Sequence, residues 1–479
     1  MKPDAPQLLH PANPALVNPA LRADPLADGA VARMLGDSAS DPARLFPRIA
    51  VINAELARWD TNGNLAGWRA LPGTDPDIAA ALEDYVQRGM QLPDWADKDC
   101  IARAEKLFMD MSMLSCTLLF CTSLPECYIL PDLSAVLQAA GQLELHTDYR
   151  VRSTAAMIFP VMMRGGMTDA AGGGVAQALK VRLIHATIRH LILRGAPDSL
   201  PAGAPVAAIA PAGPGMHHTL YAHGWDGKRD GLPCNQEELA YTLLTFHYAF
   251  LRGLRRLGLG LPREDEEAYL HAWNVLGHLI GVERELMAWT MEEADARFQA
   301  MQARGRAAWS ARLAADPGEE DPRPPLAAAL MQAMASELPL RVLKPFPILL
   351  TRYLCGKQAS RDLGLTKRVS LISRALFALG LGAVRLIDAV VRIFVPGFSI
   401  SRLLTRVAGY RLTTRFLMDQ TRPLKLPAAL LGQVDQVMQD WRQDPKAPAF
   451  MKRIEAHLSR SAPASQSAPA APQPGNRQA

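Results

Sequence analysis

Paired cysteines are missing from this chain. Its six cysteines, Cys100, Cys116, Cys121, Cys127, Cys234 and Cys355, form no CxxC pair and no metal-finger spacing, which argues against a disulfide scaffold or a zinc module. Long apolar runs are missing too. The uncharged apolar run Met111 to Pro125 has 15 residues, short of the ~18 to 20 that a spanning helix needs, so no transmembrane helix is expected. The opening MKPDAPQLLHPANPALVNP carries no charged-then-apolar leader, and with the unpaired cysteines this reads as a cytoplasmic chain. A one-sided charge is absent as well: 52 basic and 47 acidic residues are interspersed for a net charge of +5, too weak a bias for nucleic acid as a partner.

What is present is a globular composition. The 479 residues are 49% hydrophobic and 21% charged, enough for one large core or two smaller ones. Apolar spacing is mostly helical and alternating β-branched runs are few, so the expected class is all-α. Helices are expected at 76–91, 99–123, 131–141, 148–164, 175–194, 236–257, 264–286, 290–312 and 324–337, with several after 340. One is well marked: Asn235 is an N-cap, Glu238 its capping-box partner, and Gly258 a C-terminal stop. Residues 1–40 and 461–479 read as flexible tails. Between them lie a helical domain over 41–340 and a helical extension over 341–460, packing on the core or on a membrane surface. The long connection 196–234 is expected to be functional or mobile.

The segment VRLIHATIRH, residues 181–190, sets a histidine among arginines. At 100° per residue, Val181, Ile188 and Ile192 fall within roughly 60° on one side of His185, and Arg182 and Arg189 roughly 40 to 60° on the other. Such a seam suits a flat apolar cofactor with carboxylates on one edge: iron to the imidazole, propionates toward the arginines. A satisfied core histidine beside two solvated arginines has the same pattern. In the preceding helix Arg150 and Thr154 share a face at i, i+4, where a cation and a hydroxyl can stabilise bound dioxygen or an oxyanion, or simply start a helix.

Other groupings have bland readings. His217, His218 and His223 lie in one loop without a carboxylate or cysteine set. His247, His271 and His278 read as core or pocket-lining, with His278 a minor alternative iron ligand. Gly277 and Gly281 permit close approach of a helix or a flat cofactor. Met109, Met111, Met113, Met157, Met162, Met163 and Met167 fill a core or line a pocket. Over 370–395 a narrow stripe of Arg374, Arg385, Asp388 and Arg392 marks either a core helix touching water or a basic helix resting on a membrane.

Together, YRVRSTAAMIF, VRLIHATIRHLIL, GLPCNQEELAYTLLTFHYAFLRGLRRLG and EEAYLHAWNVLGHLIGV, in that order, resemble the core of the MpaB-like oxygenases, which include the latex-clearing rubber oxygenases. The resemblance covers roughly residues 100–300 and extends to LTRYLCGKQASRDLGL near 350–365. It implies an all-helical, globin-like core binding haem b, with oxygen-dependent cleavage of an olefinic double bond in an isoprenoid-like substrate. Carried over by position, His185 is the axial iron ligand with Arg182 one turn before it, and Arg150 and Thr154 are the distal polar pair; Arg182 and Arg189 orient the helix or pair with propionates. Latex-clearing enzymes carry a lysine where this chain has Ser153, and their acidic base finds no aligned match among Glu126, Asp132 and Glu144. The expected partners are dioxygen and a small hydrophobic substrate, with peripheral membrane contact through 370–395. A non-catalytic haem sensor or hydrophobic-ligand binder is the alternative on the same scaffold, and a membrane-surface protein with structural histidines a third.

Overall fold

An aspartate followed by proline opens three helices in succession. Asp24, Asp41 and Asp75 stand as N-caps before Pro25, Pro42 and Pro76; proline is favoured there because the first helical N–H has no partner to lose. These open α1 (Pro25–Leu35), α2 (Pro42–Leu56) and α3 (Pro76–Gly89). In chain order follow α4 (Lys98–Asp110), α5 (Ser112–Leu118), α6 (Pro131–Ala139), α7 (Thr147–Met162), α8 (Gly174–Leu193), α9 (Met216–Ala222), α10 (Gln236–Phe246), α11 (Tyr248–Leu257), α12 (Arg263–Leu279), α13 (Met291–Ala315), α14 (Arg323–Ser336), α15 (Phe346–Cys355) and α16 (Leu371–Phe394). This computed structural model describes residues 18–36, 41–139, 147–199, 201, 203–336, 338 and 340–394. Among them the strands are the two-residue pieces Pro205–Val206 and Trp225–Asp226, paired antiparallel. The class is all-α, as the apolar spacing implied.

Three sequence expectations change. Residues 18–36 are no tail: Ala27, Ala30, Val31 and Met34 of α1 are fully buried, and α1 packs on α3 and α8. The proline- and alanine-rich composition concealed an amphipathic helix. The 99–123 helix is broken at Met111 and passes through a π-type turn over Leu119–Ser123; Ser115 donates its hydroxyl to the Phe108 carbonyl at 2.9 Å near the break. The 236–257 helix is interrupted at His247, though Asn235 caps it by accepting from the Glu238 N–H at 2.9 Å and Gly258 ends it at φ 82°. The reciprocal half of the capping box does not form, since Glu238 Oε1 is buried without a partner.

Aromatic pairs tie the central helices together. Phe250 of α11 lies 4.8 Å from Tyr269 of α12, and Phe108 of α4 lies 5.7 Å from Phe159 of α7, at separations where ring contacts add to area burial. The methionines at 109, 111, 162, 163 and 167 are core; the side chain of Met113 lies outside the described residues. The connection 196–234 is folded, holding α9 and the paired strands, with Trp225 Nε1 donating to the Gly231 carbonyl at 2.8 Å.

No single helix among the described residues is long and apolar enough to cross a membrane, although the bent pair Lys98–Asp110 and Leu114–Cys127 has the composition of one. α16 is not the expected core helix over 371–386: Leu371, Ile372 and Leu379 are about three-quarters exposed, at 76%, 69% and 70%. The side chains of Asp388 and Arg392 lie outside the described residues.

Candidate functional site

The candidate site is built on α8, whose N-terminus is held from a distance. Its N-cap, Gly173, has no side chain to offer. Asn62 substitutes: its Oδ1 accepts from the Val175 and Ala176 N–H groups at 3.0 and 3.3 Å, and its Nδ2 donates to the Gly166 and Asp169 carbonyls at 2.8 and 2.9 Å. One side chain thus satisfies orphan donors of α8 and carbonyls of the turn that leads in from α7. A Cβ on Gly174 would sit 2.7 Å from the Gly166 oxygen, so the turn closes only with glycine. Glu105 accepts from the Gly165 N–H at 2.9 Å, and burial pushes its carboxyl up to about 7 despite those backbone bonds.

Further along α8 the two arginines are answered by α1. Arg182 grips Asp24 in bidentate fashion, Nε to Oδ2 at 2.5 Å and an amino group to Oδ1 at 2.7 Å. Arg189 is fully buried; it reaches Asp28 at 2.6 Å and donates to the Pro233 and Cys234 carbonyls at 2.8 and 2.5 Å. Burial pushes the Asp28 carboxyl up, but His190, 3.4 Å away, and the Arg189 guanidinium outweigh it and hold it below the ordinary aspartate value. Of the two roles that the sequence left open for these arginines, the observed bonds supply the helix-orienting one. Gly281 makes room: at φ 90°, a Cβ there would lie 2.9 Å from Arg182 Nε and closer still to Asp24 Oδ2.

Between the two ion pairs α8 turns an unpartnered strip outward. His185 Nδ1 is buried with no hydrogen-bond partner, and burial, helped by the Arg189 charge, lowers the imidazole to about 4. The ring is therefore neutral and keeps a lone pair for a metal. Beside it Ile184 is 42% exposed, and Val181 and Ile188 are half-buried, although the rest of the helix, from Leu179 through Leu183, Ala186 and Ile192, is closed off. Thr154 is half-buried on α7, which packs against α8. Arg150 belongs to the first turns of α7, but its side chain and that of Ser153 lie outside the described residues, and Glu144 lies outside them altogether.

The remaining candidates separate cleanly. Glu126 is engaged by Arg252 and accepts from Gln302 Nε2 at 2.8 Å. Asp132 is engaged by Arg312, and burial raises its carboxyl to about 6. His271 and His278 flank Trp95 with ring centroids at 5.7 and 6.2 Å, and His271 Nε2 accepts from the Asp97 N–H at 2.9 Å. His247 is fully enclosed with both nitrogens unpartnered, its imidazole lowered to about 3 by burial. His218 stacks on Phe46 at 3.7 Å, and no cluster of three histidine, cysteine or acidic side chains fit for a metal ion is found among the described residues. Gly277 packs against Leu243, whose Cδ2 would stand 2.7 Å from an added Cβ, the close-helix reading. Sequence reasoning missed Asp24, Asp28 and Asn62. The Asp-Pro start and Gly36 stop around α1 were the available signal for the first two; nothing local marked Asn62.

Comparison with known proteins bears on family and fold. Residues 131–386, more than half of the chain, match the family model described as ER-bound oxygenase mpaB/B'/Rubber oxygenase, catalytic domain. The rubber oxygenase of Streptomyces sp. (strain K30) is 24% identical over 258 residues, which cover 52% of this chain and 53% of that protein; the chain thus matches about half the length of this curated relative. The solved structure of latex clearing protein LCP in the closed state aligns with a TM-score of 0.54 and 19% identity over 88% of this chain and 91% of that one, a likeness of fold.

Proposed function

Because the chain belongs to the mpaB and rubber oxygenase catalytic-domain family, we propose that it is a haem b-dependent oxygenase of a small, hydrophobic, isoprenoid-like olefin. The observation that carries this reading is the strip on α8: a neutral imidazole with an unpartnered nitrogen beside half-exposed Val181, Ile184 and Ile188. An orphaned polar atom in an apolar flank is costly unless a ligand completes it, and an imidazole with an apolar wall fits the edge of a haem. His185 would hold the iron, and the aliphatic residues would contact the ring. When bound, the haem supplies dioxygen activation.

The protein's own residues orient and enclose. The Arg182–Asp24 and Arg189–Asp28 pairs clamp α8 one turn on either side of His185, so the imidazole is held on a rigid element. Thr154 and Arg150, both on α7, would supply a hydroxyl and a cation on the oxygen side. Cleavage of a carbon–carbon double bond by dioxygen balances with one oxygen atom to each new carbonyl.

A haem sensor or hydrophobic-ligand binder on the same scaffold is the second reading. It is favoured by Glu126 and Asp132 both being committed to arginines, which leaves neither available as a base. The absorption spectrum of the purified chain, with haem added where needed, tests the first step: a Soret band that His185→Ala abolishes supports ligation, and a chain that takes up no haem refutes it. Oxygen uptake with isoprenoid olefins then separates enzyme from sensor, since reversible gas binding without consumption belongs to the sensor.

A further inference from the structure

Several arginines in the fold are answered by carboxylates: Arg182 by Asp24, Arg189 by Asp28, Arg306 by Asp362 and Arg323 by Asp321. A cluster without such partners lies where α14 and α15 meet the start of α16. There Lys344, Arg352, Lys367 and Arg368 line a cavity of about 680 Å³ whose other walls include Met331 and Ile348, and no aspartate or glutamate lines it among the described residues. Arg352 donates only to the carbonyls of Leu365 and Lys367, and burial together with Arg374 works against its charge. Lys344, Lys367 and Arg368 are exposed and Arg352 half-buried, and like charges gathered with no carboxylate among them raise a local positive field that draws an anion.

The lining runs directly into α16. Ser373 donates to the Val342 carbonyl at 2.9 Å and Phe377 meets Phe346 edge-on at 5.6 Å, which pins the helix beside the cavity. Its outer side chains Leu371, Ile372, Leu379 and Leu386 remain exposed. Positive charge and a row of exposed aliphatics on one edge match a phosphate head group with acyl chains next to it, and match neither a soluble anion nor a neutral lipid.

We infer that this cavity binds the phosphate head group of an anionic membrane phospholipid, with the exposed aliphatics of α16 seated in the adjoining acyl boundary. The chain thereby docks on an anionic bilayer surface, which goes beyond the oxygenase reading and does not depend on it.

Co-sedimentation of the full chain tests this with vesicles of phosphatidylcholine alone and of phosphatidylcholine mixed with phosphatidylglycerol. The chain is expected to partition onto the mixed vesicles and weakly onto the neutral ones. The triple variant K344Q/K367Q/R368Q should lower that partitioning on the order of a hundredfold, about fivefold per cation. The variant L371S/L379S, with the charge unchanged, should weaken it separately. Equal binding to neutral vesicles, undiminished binding by the triple variant, or displacement by inorganic phosphate would each overturn the assignment, the last by showing a free-phosphate site. All substituted residues other than Arg352's neighbours at the cavity wall are on the surface of α16, and unchanged far-ultraviolet circular dichroism confirms the fold of each variant. Sedimentation is read without haem, so a chain that fails to bind haem leaves this test intact.

Discussion

Replacing Arg189 with methionine keeps much of the side-chain volume and removes the guanidinium. Four acceptor contacts are lost at once: both Asp28 oxygens at 2.6 Å, the Pro233 carbonyl at 2.8 Å and the Cys234 carbonyl at 2.5 Å. Asp28 stays buried, with only His190 at 3.4 Å and the Asp24 N–H left to answer its charge. Breaking one side of a buried pair costs about 3–5 kcal/mol, a large part of the roughly 5–15 kcal/mol that holds a typical domain. The urea midpoint of R189M should drop accordingly, and R189M/D28N should recover part of the loss, because asparagine removes the charge and can still accept from the Asp24 N–H that Asp28 holds at 2.8 Å. The acid dependence provides a second reading. In the parent the Asp28 carboxyl is held low, so its contribution is complete above the unfolded aspartate value of about 3.9 and is lost as pH falls through the lower folded value. In R189M the guanidinium's share of that lowering is gone while His190 and the Asp24 N–H remain, so the stability that this site loses on acidification should shrink. A loss below about 1 kcal/mol for R189M, or an acid dependence identical to that of the parent, would refute the clamp.

Asn62→Ala leaves two carbonyls and two N–H groups of the α7–α8 turn without their partner; a loss of about 1–3 kcal/mol in urea unfolding is expected, together with weaker haem retention measured by transfer to an apo-globin acceptor. Gly281→Ala should cost about 2 kcal/mol or more in thermal unfolding, from the positive φ and from displacing the Asp24–Arg182 pair. Glu105 has a folded value raised to about 7 from 4.5; the folded state therefore binds the extra proton, and stability should fall as pH rises from about 4.5 to 7 and then level off. Glu105→Gln should flatten that slope, which a series of urea midpoints across pH reads directly.

The parts of this fold legible in the sequence were those set within one helical turn. The expected helix 175–194 is Gly174–Leu193 and the expected helix 76–91 is Pro76–Gly89, because a 3.6-residue period acts within one turn, as does the Asp75 cap of the second. His185 was legible for the same reason, as a seam residue between aliphatics and arginines. Breaks at Met111 and His247 were not, since apolar spacing runs on through both.

By itself, then, the sequence determined the helical class, the helix on which the candidate ligand sits and the family resemblance. The tertiary structure alone decided what the arginines touch. Arg182 and Arg189 meet aspartates 158 and 161 residues earlier in the chain, and Asn62 caps a helix more than a hundred residues away, at a separation of 113 to Val175. No local pattern encodes such a pairing, because it arises only when α1 and α8 are packed together and water is excluded between them. The same packing left His185 Nδ1 without a hydrogen-bond partner and gathered the cations beside α15 around a cavity that no described carboxylate lines.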